Sequence, residues 1–175
     1  MRKVLKFLAK PIVAWSFVAI VIATSAVGYW FMTRPVSNIP ADIKSGLTFT
    51  PIAPDGSDKE YSVSDYKFST AEDNVQILSY IIKTPGSQVS VSQYAQPPAF
   101  TDIPEYKDRF LDNIIKRYGT VQTENGAIYL GRATKQNNKQ LGVMLERGLI
   151  IFFSPESELS ETEWRKLGDQ MVVTR

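Results

Sequence analysis

Ser64 and Lys67 stand three residues apart, the S-x-x-K spacing of serine acyl-enzymes, in which one turn of helix holds lysine beside serine to take its proton. Lys83-Thr84-Pro85-Gly86 echoes the K-T-G strand of the same chemistry. Both echoes fail on context: Ser64-Asp65-Tyr66-Lys67 reads as strand, Pro85 occupies a glycine position, and the domain is too small. The chain has no histidine and no cysteine, which excludes Ser-His-Asp and Cys-His nucleophiles and the usual zinc ligand sets. Carboxylates offer little more. Glu105, Asp108 and Asp112 lie a helical turn apart but alternate with Lys107, Arg109 and Lys116, the pattern of a solvated helix face. Glu156, Glu158, Glu161 and Glu163 cluster where a helix begins, so capping and the helix dipole explain them without a cation. Asp55-Gly56-Ser57-Asp58 lacks the spacing of a calcium loop. No catalytic residue, metal ligand or cofactor is assigned, and an enzyme is not expected.

A binding role is expected instead. In Gln93 to Phe100, Pro97 and Pro98 favour a preformed extended backbone, and Tyr94 and Phe100 flank it as aromatic anchors for a partner protein or a cell-envelope component. The competing role for the same residues is a rigid crossover whose aromatics plug the sheet edge. A domain holding a small apolar ligand or sensing one is the alternative function, with an unrecognised hydrolase behind it.

The chain is organised around Ile12–Met32, twenty-one residues without charge or proline. As a helix this stretch spans roughly 31 Å, close to the hydrocarbon thickness of a bilayer. Trp15 near one end and Tyr29 and Trp30 near the other suit the membrane interface. Arg2, Lys3, Lys6 and Lys10 precede it, so the positive-inside rule keeps residues 1–11 cytoplasmic and sends the rest across. Thr24-Ser25-Ala26 could serve a signal peptidase, but the apolar run continues six residues further, which suits an uncleaved single-pass anchor better. Ser16, Ala19, Ala23 and Ala26 share one helix face, a route to a homodimer in the membrane.

The whole-chain charge of +2 hides a split. Residues 1–34 carry five Lys/Arg and no acid, which leaves fifteen Lys/Arg against eighteen Asp/Glu beyond them, a net −3. A mildly acidic domain is a poor ligand for phosphate backbones, so no nucleic-acid partner is expected. The absence of cysteine, and of any Asn-x-Ser/Thr sequon, points to a bacterial envelope protein without disulfides.

Residues 33–40 form a short proline-interrupted stalk, and residues 41–175 one extracytoplasmic domain. Ile39 to Leu47 suggests a helical turn, and Leu47 to Ile52 alternates like a strand. Tyr61–Val63 and Tyr66–Phe68 suggest one strand or two pieces around a bend. Val75–Lys83 and Val89–Tyr94 form a hairpin across Thr84-Pro85-Gly86-Ser87, with Val89, Val91 and Gln93 on one face. Asp102 and Glu105 have capping-box spacing ahead of a helix over about 103–118, whose stripe is Tyr106, Phe110, Ile114 and Tyr118, with Gly119 ending it. Thr120–Thr123, Ala127–Ala133, Leu141–Glu146 and Leu149–Phe153 are short strands. Ser160 and Glu163 cap a final helix over about 161–172, with Leu159 and Trp164 as its hydrophobic staple. The order predicts an α+β domain after one transmembrane helix, with a mainly antiparallel sheet of about six to eight strands and both helices on one face.

A single N-terminal anchor, a cysteine-free sheet and a closing Ser160-x-x-Glu163-Trp164 helix after Leu149–Phe153 resemble small signal-anchored bacterial extracytoplasmic proteins of no assigned activity. The resemblance covers roughly residues 38–172. It implies a location and contributes no functional residue.

Overall fold

The computed structural model describes residues 39–56, 58–103, 105–135 and 138–174. The basic tail, the anchor at 12–32 with Trp15, Tyr29 and Trp30, and most of the stalk lie outside the described residues. Among the described residues no helix is long and apolar enough to cross a membrane. Ile39, at the end of the predicted stalk, is buried in the core.

The fold is α+β, with seven antiparallel strands in one sheet and four helices among the described residues. Helix α1 (Ala41–Gly46) leads to the short strand β1 (Ile52–Pro54), then β2 (Ser62–Thr70), β3 (Gln76–Lys83) and β4 (Gln88–Ala95). Helices α2 (Ala99–Asp102) and α3 (Tyr106–Ile114) cross to β5 (Ile115–Thr123), β6 (Gly126–Ala133), β7 (Gln140–Glu146) and β8 (Leu149–Pro155). Helix α4 (Glu161–Gln170) and strand β9 (Met171–Val173) close the chain. The sheet order is β2-β3-β4-β8-β7-β6-β5, and β1 pairs with β9 in a separate ribbon. The crossover from β4 to β5 carries the chain from the middle of the sheet to its far edge, and β8 returns to pair with β4.

Local chemistry explains the turns. The Thr84 N–H donates to the Ser87 carbonyl at 2.9 Å, closing the predicted β3–β4 hairpin. Arg147 and Gly148 both have positive φ, 54° and 74°, as a two-residue turn between twisted strands requires. Ser160 and Glu163 form the predicted capping box. The Ser160 N–H donates to the Glu163 carboxylate at 2.7 Å, and the Glu163 N–H donates to Ser160 Oγ at 3.3 Å. The Ser160 hydroxyl and then its backbone N–H hold the Glu163 carboxyl below its ordinary value. A depressed folded-state pKa contributes stability that is present above the ordinary carboxylate range and lost as pH falls through the folded value. Ser160→Ala is expected to lower stability by about 1 kcal/mol at neutral pH. In urea titrations the deficit should narrow on acidification. A deficit independent of pH would mean that the carboxylate is not part of the cap.

Alternation sorts the strands onto two faces, and both are covered. On one face Leu78, Tyr80, Ile82, Val89, Val91, Ile151, Phe153, Met144 and Ile128 pack with the β1–β9 ribbon, Trp164 and Leu167. On the other, Val143, Leu145, Ile150 and Leu141 pack under Leu111, Phe100 and Phe110 of the crossover helices. The expectation of helices on one face is therefore corrected. The apolar run Leu149–Phe153 sits in the middle of the sheet, and its alternate residues need cover on both sides.

Five further expectations change. The helix predicted over 103–118 ends at Ile114, because Ile115 pairs with Ala133 and opens an edge strand in which Tyr118 is 54% exposed. Gly119 does not cap a helix; it lies at a register shift within β5. Asp102 ends α2, and α3 begins without a side-chain cap, Glu105 pairing with Arg109 at 2.7 Å instead. The stretch before Ile52 is not a strand, since the Thr48 N–H donates to Gln76 Oε1 at 2.7 Å rather than to a neighbouring ladder. The final helix stops at Gln170, where β9 pairs with β1. Tyr61 to Phe68 resolves into one strand from Ser62, with a register shift between Ser64 and Lys67 and Asp65 at φ 55°.

Candidate functional site

Of the crossover residues, Tyr94 and Phe100 pack on the helix-roofed face, whereas Pro97 and Pro98 do not join them there. Pro97 and Pro98 are exposed and start α2, their carbonyls accepting from the Phe100 and Thr101 N–H groups at 3.0 and 2.9 Å. Phe100 stands edge-on to both Tyr106 and Phe110, with ring centres 5.1 Å apart in each case. Phe110 lies 6.3 Å from Phe152, and Tyr94 lies 6.0 Å from Phe152. Burial, and then the neighbouring Tyr106, push the Tyr94 hydroxyl above its ordinary value, so Tyr94 presents a neutral phenol. Phe100 thus roofs the second core and Tyr94 lies on its sheet floor, both half-buried, and Phe152 joins them to the open floor beside α3.

That floor is a groove of about 450 Å³, lined by Ser92 of β4, Phe152 and Ser154 of β8, Leu141 of β7, Ala133 of β6, Asn113 and Ile114 of α3, and Thr134 and Lys135 of the following turn. It exists because α3 ends at Ile114 and leaves the sheet uncovered beyond that point. The strands under it are internal, each paired on both sides, so their backbone groups are already bonded to neighbours. Apolar side chains dominate the floor, Ser92 and Ser154 lie toward β4, and among the described residues Lys135 is the single charged one in the lining. Ser92 Oγ also shares a hydrogen bond of 3.1 Å with Ser79 Oγ on β3.

Phe152, Leu141, Ile114 and Lys135 are not among the sequence-derived site residues. Their signal is present in part. A five-residue apolar run at Leu149–Phe153 must show alternate side chains on both faces of its sheet, but which of them stays uncovered depends on where α3 stops.

The other motifs resolve into structural roles. Ser64 and Lys67 lie on strand β2, not on a helix, and Ser64 Oγ donates to Asp65 Oδ2 at 3.1 Å. Asp108 and Asp112 both pair with Arg117, at 3.1 and 2.8 Å. Glu158 pairs with Arg132, Glu161 with Arg165 at 3.1 Å, and Glu163 caps α4. Among the described residues no three acidic side chains gather closely enough to hold a metal ion. Compared with protein-family models and with curated proteins, the chain matches none.

Proposed function

We propose that this protein is a non-enzymatic, membrane-anchored extracytoplasmic domain of the bacterial envelope that binds a partner protein or envelope component. The observation that carries the reading is the open apolar groove beside the crossover, continuous through Phe152 with the ring cluster of Tyr94, Phe110 and Phe100. An uncovered apolar floor with a polar rim is the surface chemistry of a binding site. The proposed anchor at 12–32 would hold this surface at the outer side of the membrane, on a stalk too short to carry it far.

Site-specific photo-cross-linking of the full-length protein in its own membrane tests the reading. A photoreactive residue at Thr134 or Ser154, on the groove, is expected to give a discrete adduct. One at Gln122, on the exposed edge strand β5, is expected to give none. Equal adducts from all three positions, or none from the groove, would reject the groove as the binding surface.

A further inference from the structure

We infer that the groove takes a single-chain acyl carboxylate, with its hydrocarbon over Leu141 and Phe152 and its head group at Lys135. The inference rests on the binding role proposed above and names the class of envelope component. Three observations lead to it. The lining is mostly apolar, which suits a hydrocarbon body, and the groove volume of about 450 Å³ lies within the roughly 300–1,000 Å³ of small-molecule sites. Its charge is one-sided: among the described residues the lining holds Lys135 and no carboxylate, and no ion pair engages Lys135. The third observation separates an acyl chain from an extended peptide. A peptide brings an N–H and a C=O at every residue, and it docks on a sheet by adding to an open edge. Here β4, β8 and β7 are all internal, so the floor has no free ladder to offer. A hydrocarbon chain needs no such partners, and its only polar group is the carboxylate that Lys135 can meet.

The test irradiates full-length protein in its membrane with a diazirine-bearing alkyl carboxylate, uses the alkylamine of equal length as comparator, and maps adducts by mass spectrometry. Labelling of residues 12–32 reports uptake of each probe into the bilayer. The carboxylate is expected to label peptides carrying Ile114 and Leu141 in preference to the amine. Lys135→Glu should lower that labelling about fivefold, the scale of one exposed ion pair, while Lys135→Arg retains it. Lys135 is exposed, so neither change disturbs the core. Equal groove labelling by acid and amine, or labelling unchanged in Lys135→Glu, would overturn the inference. Labelling confined to residues 12–32 would also overturn it, and a discrete adduct from Thr134 in the preceding experiment would then leave the broader binding role standing.

Discussion

Trp164→Ala is expected to lower the stability of the α+β domain by about 3–5 kcal/mol, a large share of the roughly 5–15 kcal/mol typical of a whole domain. The indole is fully buried and stands edge-on to Phe153, with ring centres 6.2 Å apart and planes at 84°. It lies directly over Gly142, where an added Cβ would come within 2.7 Å of Trp164 Cζ3 and 3.0 Å of Ile128 Cγ2. Helix α4 approaches the sheet so closely that Gly168 is likewise excluded from bearing a side chain, by Thr123 and Ile128. Removing the ring leaves a void above a hydrogen-bonded sheet that cannot rise to fill it. Trp164 Nε1 has no hydrogen-bond partner among the described residues. Trp164→Phe should therefore cost much less, because it keeps a ring over Gly142 and removes a buried donor that is unsatisfied. Urea unfolding followed by circular dichroism measures both. A loss below about 1 kcal/mol for Trp164→Ala would show that the α4–sheet contact is not a principal support of the fold.

Gln93→Leu is expected to cost about 2–4 kcal/mol, although leucine is apolar and close in size to the residue it replaces. Gln93 is fully buried on β4, among Leu78, Val91 and Ile151. Its amide completes strand β1. The Ile52 N–H donates to Gln93 Oε1 at 2.9 Å, and Gln93 Nε2 donates to the Ile52 carbonyl at 2.8 Å. The Tyr80 hydroxyl donates to the same carbonyl at 2.7 Å. Pro51 and Asp55 bond across to Thr174 and Gln170, so strand alternation turns the Ile52 backbone away from β9 and toward the sheet face. Leucine would leave the Ile52 N–H buried and unpaired. Hydrogen exchange should locate the damage, with the Ile52 amide losing protection in Gln93→Leu and keeping it in Tyr80→Phe, where the Gln93 amide remains. Unchanged protection of Ile52 in Gln93→Leu would sink the account.

Gln93 also shows how the sequence can be read correctly in one respect and incompletely in another. Alternation places it on the inward face with Val89 and Val91. Nothing nearby in the chain reveals that its partner is Ile52, forty-one residues earlier. Gln140 repeats the arrangement on Leu159, accepting from its N–H at 2.7 Å and donating to its carbonyl at 3.0 Å. In both, a buried amide takes the place of a neighbouring strand for a segment that lies across the sheet face. The candidate site divides in the same way. Tyr94, Phe100 and the proline pair stand out as an aromatic-flanked crossover, whereas Lys135 looks like any loop lysine until the end of α3 exposes the floor beside it.

What the sequence determined by itself are the features governed by neighbours: the β3–β4 hairpin, strands β6 to β8, the Ser160–Glu163 cap and the α+β class. Each rests on hydrogen bonds or alternation within a few residues, so composition and spacing suffice. The tertiary structure alone decided where α3 yields to β5, that Met171–Val173 leaves the last helix to pair with Ile52–Pro54, and that both faces of the sheet are covered. In those places helix and strand compete for the same residues. A helix satisfies its backbone locally, but an available strand edge satisfies it equally well, and it also buries Ile115 or Met171 in a core assembled from distant parts of the chain.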